Sequence, residues 1–136
     1  MGRILAIDYG TKRTGIAVSD PLKIIAGGLD TLPTHDLMRF IKEYLAANEV
    51  ETIVVGKPLQ MNGQPSDSFV HIKPFVSRLK SEFAGTEVVY HDERFTSKMA
   101  QRTILESGVS RAKRQDKALV DKVSAMIILQ SYLDTL

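Results

Sequence analysis

Hydrophobic and polar positions divide the chain into short, strand-like segments followed by longer segments of helical period. Residues 3–8 (RILAID) and 14–20 (TGIAVSD) are apolar runs joined by the turn YGTKR, and each predicts a strand. Residues 23–32 (KIIAGGLDTL) predict a third strand, broken or bulged at Gly27-Gly28. Three strands with short connections predict an antiparallel meander. The period then changes. In THDLMRFIKEYLAANE, Leu37, Ile41 and Leu45 recur every four residues, with Met38 and Tyr44 beside them. That spacing predicts an amphipathic helix capped by Thr34 or Asp36.

The second half alternates strand and helix. TIVVG (52–56) is a short β-branched run with little polar alternation, as a buried parallel strand requires. KPLQMNGQP is a loop punctuated by Pro58, Asn62-Gly63 and Pro65. Phe69, Ile72, Val76, Leu79 and Phe83 then follow helical spacing, with Ser66 or Asp67 as cap and a kink expected at Pro74. TEVVYHDE predicts a strand ending in acids. TSKMAQRTILESG predicts a helix from a Thr96 cap to a Gly108 stop. VSRAKRQ is a basic connector. The final helix, DKALVDKVSAMIILQSYLDTL, is expected to turn Leu119, Val123, Met126, Ile127 and Leu133 inward. The order βββ-α-β-α-β-α-α predicts an α/β layered protein with a mixed sheet, read as one domain over residues 1–136.

Composition narrows the chemistry. The chain has no cysteine, which excludes disulfides and thiolate metal sites. No signal-peptide pattern opens it and no apolar stretch approaches the roughly 20 residues of a membrane span, so a cytoplasmic protein without a membrane partner is expected. The net charge of +2 is unevenly spread. Residues 94–122 carry 8 basic and 3 acidic side chains, whereas residues 1–93 are slightly acidic. A basic segment in a near-neutral chain points to an anionic partner such as nucleic acid, or to a solvated helix face.

Four acids stand out by position. Asp8 ends the first strand, Asp92-Glu93 end the last, and Asp121 lies in the first turns of the final helix beside the small residues Ser124 and Ala125. If strands one, four and five run parallel, their carboxyl ends share one edge, where open α/β sheets bind ligands. Clustered carboxylates repel unless a cation offsets them. Mg²⁺ and Mn²⁺ prefer oxygen donors, and two such ions roughly 4 Å apart activate a water and stabilise the leaving oxygen in phosphodiester cleavage. Each acid also has a structural reading. Asp8 reads as a turn cap, Asp92-Glu93 as a solvated strand end, and Asp121 as a partner of Lys117 or Lys122.

Four blocks, IDYGTKRTGIAVSD, VVGKPLQMNG, HDERFTS and VDKVSAMIILQSYLD, together resemble the YqgF family. This is the bacterial RNase H-like group of pre-16S rRNA nucleases and Holliday-junction-resolvase-like proteins. The resemblance spans the chain and implies an RNase H-like, five-stranded mixed sheet flanked by helices, its first three strands antiparallel. It implies Asp8, Glu93 and Asp121 as catalytic metal ligands for Mg²⁺ or Mn²⁺, with Asp92 as an extra ligand or an acceptor behind them. Glu93 is favoured over Asp92 for its longer side chain. The implied substrates are structured RNA, notably the 5′ end of the 16S rRNA precursor in a ribosomal particle, or branched DNA such as a four-way junction. Monomer and dimer both remain open.

Basic residues acquire candidate roles at a nucleic-acid surface: Lys12 and Arg13 on the first turn, Lys57 where the family has an apolar residue, Arg94, and the cluster Arg111, Lys113 and Arg114. Such side chains position a phosphate backbone without reading sequence. Gly10 and Gly15 allow a tight turn near a phosphate. His91 neighbours the acid pair and is read as a group that orients a ligand or shuttles a proton, or as a packing residue. Tyr9 is read as a packing residue or a stacking platform, and His35 and His71 as surface residues. Asp20 ends the second strand and is therefore placed at the opposite edge from Asp8. Two other functions compete with a nuclease. One is nucleic-acid binding without catalysis. The other is an actin-like phosphotransferase, suggested by DYGTKRTG but requiring two such domains.

Overall fold

A computed structural model describes residues 2–58, 64, 68–93, 96–107 and 117–136, with the backbone alone at 93 and 96–98. Five strands, β1 (Arg3–Asp8), β2 (Arg13–Ser19), β3 (Ala26–Pro33), β4 (Val50–Pro58) and β5 (Glu87–Glu93), form one sheet in the order β3-β2-β1-β4-β5. β1 pairs antiparallel with β2, and β2 with β3, while β1, β4 and β5 run parallel. The described helices are α1 (Leu37–Ala47), α2 (Phe69–Glu82), α3 (Thr96–Glu106) and α4 (Lys117–Leu133). None of them is long and apolar enough to cross a membrane.

Strand alternation sends neighbouring residues to two cores. Leu5, Ile7, Ile16, Ile53 and Val55 pack with Leu37, Ile41, Ile72, Phe75, Val76 and Leu79 beneath α1 and α2. Ile4, Ala6, Ala17 and Val54 pack with Ala125, Ile128, Leu129 and Leu133 of α4. Each fully buried Leu or Ile contributes about 1.5–3 kcal/mol, and the sheet shares its buried residues between both layers. The alanines are on the α4 side, where they let that helix lie close to the strands.

Several elements differ locally from the sequence expectation. β3 begins at Ala26, three residues late. The Asp20 carboxylate accepts the backbone N–H groups of Leu22, Ile24 and Ile25 at 3.2, 2.8 and 2.8 Å, which holds them in a turn. The bulge in β3 falls at Leu29, because Ile16 pairs with Asp30 and Ala17 with Gly28. α1 is preceded by a 3₁₀ turn, Thr34–Asp36, and has no side-chain cap. The Thr34 hydroxyl instead donates to the Gly10 carbonyl. α2 runs from Phe69 to Glu82 through Pro74, which takes a helical partner from the carbonyl of the exposed Val70. The caps expected at Ser66 or Asp67 and the stop at Gly108 lie outside the described residues. α4 turns Ser124, Ala125, Ile128, Leu129 and Leu133 toward the sheet. Val123, Met126 and Ile127 line a cleft with Thr103 of α3. A helix apolar on nearly all sides serves two neighbours, so its periodicity does not say which face meets which.

Candidate active site

The carboxyl ends of β1, β4 and β5 meet at one rim of the sheet, as the parallel pairing requires. Asp8 closes β1, Pro58 closes β4 and Glu93 closes β5, with Pro58 opposite Glu93 in register. Asp8 is paired with Gly15 across the antiparallel ladder. The site therefore grows from the first hairpin.

Two glycines shape that hairpin. A Cβ on Gly10 would strike the Arg13 carbonyl, so the turn closes only with glycine there. Gly10 N–H points to Thr14 Oγ1 at 3.5 Å, and Thr14 and Thr34 share a 2.9 Å hydroxyl hydrogen bond. Gly15 has a different task. A Cβ there would collide with the Asp121 carbonyl and crowd the Lys122 nitrogen. The backbone of α4 thus lies directly on Gly15, whose ladder partner is Asp8. This close approach brings Asp121 to the Asp8 corner.

Asp121 is held there by an ion pair. Arg13 Nε donates to Asp121 Oδ2 at 2.7 Å. The sequence offers Asp121 Lys117 or Lys122 as helix-surface partners, and Arg94 as a partner for an acid of the cluster. The actual partner is the hairpin arginine, 108 residues away. Arg13, expected at the nucleic-acid surface, is therefore also a component of the acid corner. Lys12 is exposed on the same turn, and its carbonyl accepts the Thr34 N–H at 3.0 Å.

Alternation separates the two acids that end β5. Val89 packs on the α4 side and His91 Nε2 makes a 2.8 Å hydrogen bond with Ser131 Oγ of α4. Position 93 has the same parity, as do Ala6 and Asp8 on β1. Asp92 shares its parity with Val88 and Tyr90, which lie on the α2 side, where Tyr90 meets Phe69 edge-on. Asp92 is thus set on the opposite face from α4. Its register partner is Lys57, on the same face, with Lys57 Nζ 5.1 Å from the Phe69 ring centroid. Lys57 accordingly faces away from Asp8 and Asp121. Arg94, Arg111, Lys113 and Arg114 lie outside the described residues.

His91 is occupied by Ser131 and by an edge contact with Tyr132, centroids 5.9 Å apart. Asp20 lies at the far rim, beside Ser19, and its three backbone hydrogen bonds, that from Ile25 foremost, hold its carboxyl below the usual aspartate range. It caps a turn and takes no part in the rim.

The donor chemistry at the corner suits a hard divalent cation. The described side chains there, Asp8 and Asp121, offer carboxylate oxygens. One turn on from Asp121, the buried Ser124 hydroxyl has no hydrogen-bond partner among the described residues. Among the described residues, no group of three or more His, Cys, Asp or Glu side chains is assembled for a metal. The side chain of Glu93, the third acid the resemblance implies, lies outside the described residues.

A mixed sheet in the order β3-β2-β1-β4-β5 with helices packed on both faces is an RNase H-like fold. The chain belongs to the RuvX family, whose model, described as Holliday junction resolvase, matches residues 2–135. It is 60% identical over 134 residues to a protein of Porphyromonas gingivalis named "Putative pre-16S rRNA nuclease", covering 98% of this chain and 97% of that one. A protein of the same name from Bacteroides thetaiotaomicron is 56% identical, with 99% and 98% covered. Among solved structures, T. thermophilus RuvC in complex with a Holliday junction substrate superposes with a TM-score of 0.57 at 16% identity, covering 99% of this chain and 96% of that chain. That likeness concerns the fold.

Proposed function

We propose that this protein is a single-domain, divalent-metal-dependent nuclease that hydrolyses a phosphodiester bond during 5′-end processing of the 16S rRNA precursor. The observation that carries the proposal is the packing of α4 on Gly15, which sets Asp121 beside the strand end that bears Asp8. The names of the relatives at 56–60% identity supply the RNA substrate.

In this reading Asp8, Glu93 and Asp121 hold Mg²⁺ or Mn²⁺ at the rim, and Asp92, on the other face, does not. When bound, such ions activate a water and stabilise the leaving oxygen of a phosphodiester. The protein's own part is positioning. Gly15 fixes the depth of α4, and Arg13 holds the Asp121 carboxylate in place by a charged hydrogen bond. Lys12, exposed on the hairpin, steers the phosphate backbone, and the basic run that includes Arg111, Lys113 and Arg114 adds salt-dependent affinity.

The test is cleavage of a pre-16S rRNA fragment and of a four-way DNA junction in parallel, with Mn²⁺, comparing wild type with Asp8→Asn. Metal-dependent cutting of the RNA alone, lost in the variant, supports the proposal. Symmetric cutting of the junction by a dimer supports the resolvase reading suggested by the family description. Binding without cleavage of either supports a non-catalytic protein.

A further inference from the structure

The opposite face of the sheet carries a second opening at the same rim. A cleft of about 500 Å³ lies between α1 and α2, and its lining includes Tyr9, Phe75, His35, His71, Arg39 and Arg78. Clefts of about 300–1,000 Å³ hold ligands the size of a nucleotide. Its chemistry is divided. The floor is aromatic, with Tyr9 stacked on Phe75, ring centroids 4.8 Å apart. Phe75 is buried and Tyr9 is half-buried, so Tyr9 is the ring still open to a ligand. The rim is cationic.

The two arginines are available. Arg39 pairs with Asp36 at 3.3 Å and Arg78 with Glu82 at 3.0 Å, but these side chains are 73% and 62% exposed. Exposed pairs are weak and a phosphate displaces their carboxylates readily. Neither Asp36 nor Glu82 lines the cleft. His35 and His71 add donors on opposite walls.

Position links this cleft to the rim acids. Asp8 and Tyr9 are consecutive, and alternation sends them to opposite faces of the sheet. A polynucleotide that crosses the end of β1 at Asp8 comes next to Tyr9. We infer that the α1–α2 cleft is a second nucleic-acid subsite, which seats a single-stranded nucleotide flanking the scissile phosphate, its base on Tyr9 and its phosphate between Arg39 and Arg78. An aromatic platform with a cationic border is the recognition chemistry of single strands. A base already paired in a duplex cannot turn its face to Tyr9, so the subsite selects an unpaired flank over the paired arms of a four-way junction. The inference rests on the nuclease reading for the scissile phosphate that the nucleotide flanks, whereas binding in the cleft does not require cleavage.

The experiment uses a fluorescein-labelled, unstructured RNA strand long enough to form a stable duplex, and a blunt duplex containing the same strand, each titrated with the full chain in EDTA and followed by anisotropy. EDTA keeps the metal reading out of the measurement. The single strand is expected to bind at least tenfold tighter than the duplex, and Arg39→Gln with Arg78→Gln to weaken it at least tenfold. Amide chemical shifts of wild type should move around Thr34, His71 and Phe75. Equal binding of the duplex, indifference to the double substitution, or shifts confined to the α4 side overturns the subsite. Binding through the cleft by a protein that cleaves no nucleic acid leaves the subsite standing and refutes the nuclease reading instead.

Discussion

Arg13 and Asp121, 108 residues apart in sequence, are joined by a 2.7 Å charged hydrogen bond between the first hairpin and the last helix. The pair is 42% and 23% exposed, so water screens it. A guanidinium on Oδ2 orients the carboxylate and also competes with any cation for it. Arg13→Gln is expected to tighten Mn²⁺ binding by about two- to fivefold, the scale of one exposed ion pair. Calorimetric titration of Mn²⁺ into wild type and variant reads this directly, and weaker binding in the variant would show that Arg13 only supports the site.

Gly15→Ala puts a methyl group into the Asp121 carbonyl, a backbone group rather than the far end of a flexible side chain. α4 must lift from the sheet. Overpacking of this kind costs about 1–3 kcal/mol, visible as a lower Tm. Displacement of Asp121 by about 1 Å is expected to cost roughly 100-fold in cleavage. A variant with normal Tm and normal cleavage would mean that the close approach does not position the acid.

Asp92 and Glu93 offer a sharp contrast because they occupy adjacent, alternating positions of β5. Glu93→Gln should reduce cleavage by about 100-fold or more, as expected for removal of a group that stabilises transition-state charge. Asp92→Asn should stay within about twofold, its neighbour being Lys57 rather than the acids. Rates of single-turnover cleavage distinguish the two, and the reverse order of effects would reassign the ligand.

Asp20 makes the acid stability of the fold partly local. Its carboxyl is held below the ordinary aspartate range by backbone N–H groups of Ile25, Ile24 and Leu22. A depressed folded pKa contributes stability that is complete above the unfolded value and disappears as pH falls through the folded one. Asp20→Asn should therefore lower Tm near neutral pH and flatten the dependence of Tm on pH in the acid range, while cleavage at neutral pH persists. A Tm–pH profile identical to wild type would contradict this.

Much of this was legible in the sequence. Period-2 and period-3.6 runs define the elements, and the short connections of the first three strands set the antiparallel half of the sheet. The parallel half follows from the helices between strands, which is why the shared rim of Asp8 and Glu93 was foreseeable. What periodicity could not supply was the facing of α4, apolar on both sides, or the turn that delays β3, since Asp20 acts on residues up to five positions ahead. The partner of Asp121 was hidden for another reason. The sequence puts Lys117 and Lys122 nearby, and only tertiary packing on Gly15 brings in Arg13. The alternation of positions 92 and 93 along β5 was within reach. Counting parity from the apolar Val89 separates them, a stronger argument than side-chain length.

The proposed activity requires the carboxylates of Asp8, Glu93 and Asp121 to gather around a cation at one rim of the sheet. Anomalous scattering from a crystal soaked in Mn²⁺ tests it most directly. A manganese peak bonded to Asp8 and Asp121, with Glu93 as a further ligand and Asp92 out of reach, is the predicted result. A peak elsewhere, or none at this rim under conditions that support cleavage, would contradict it.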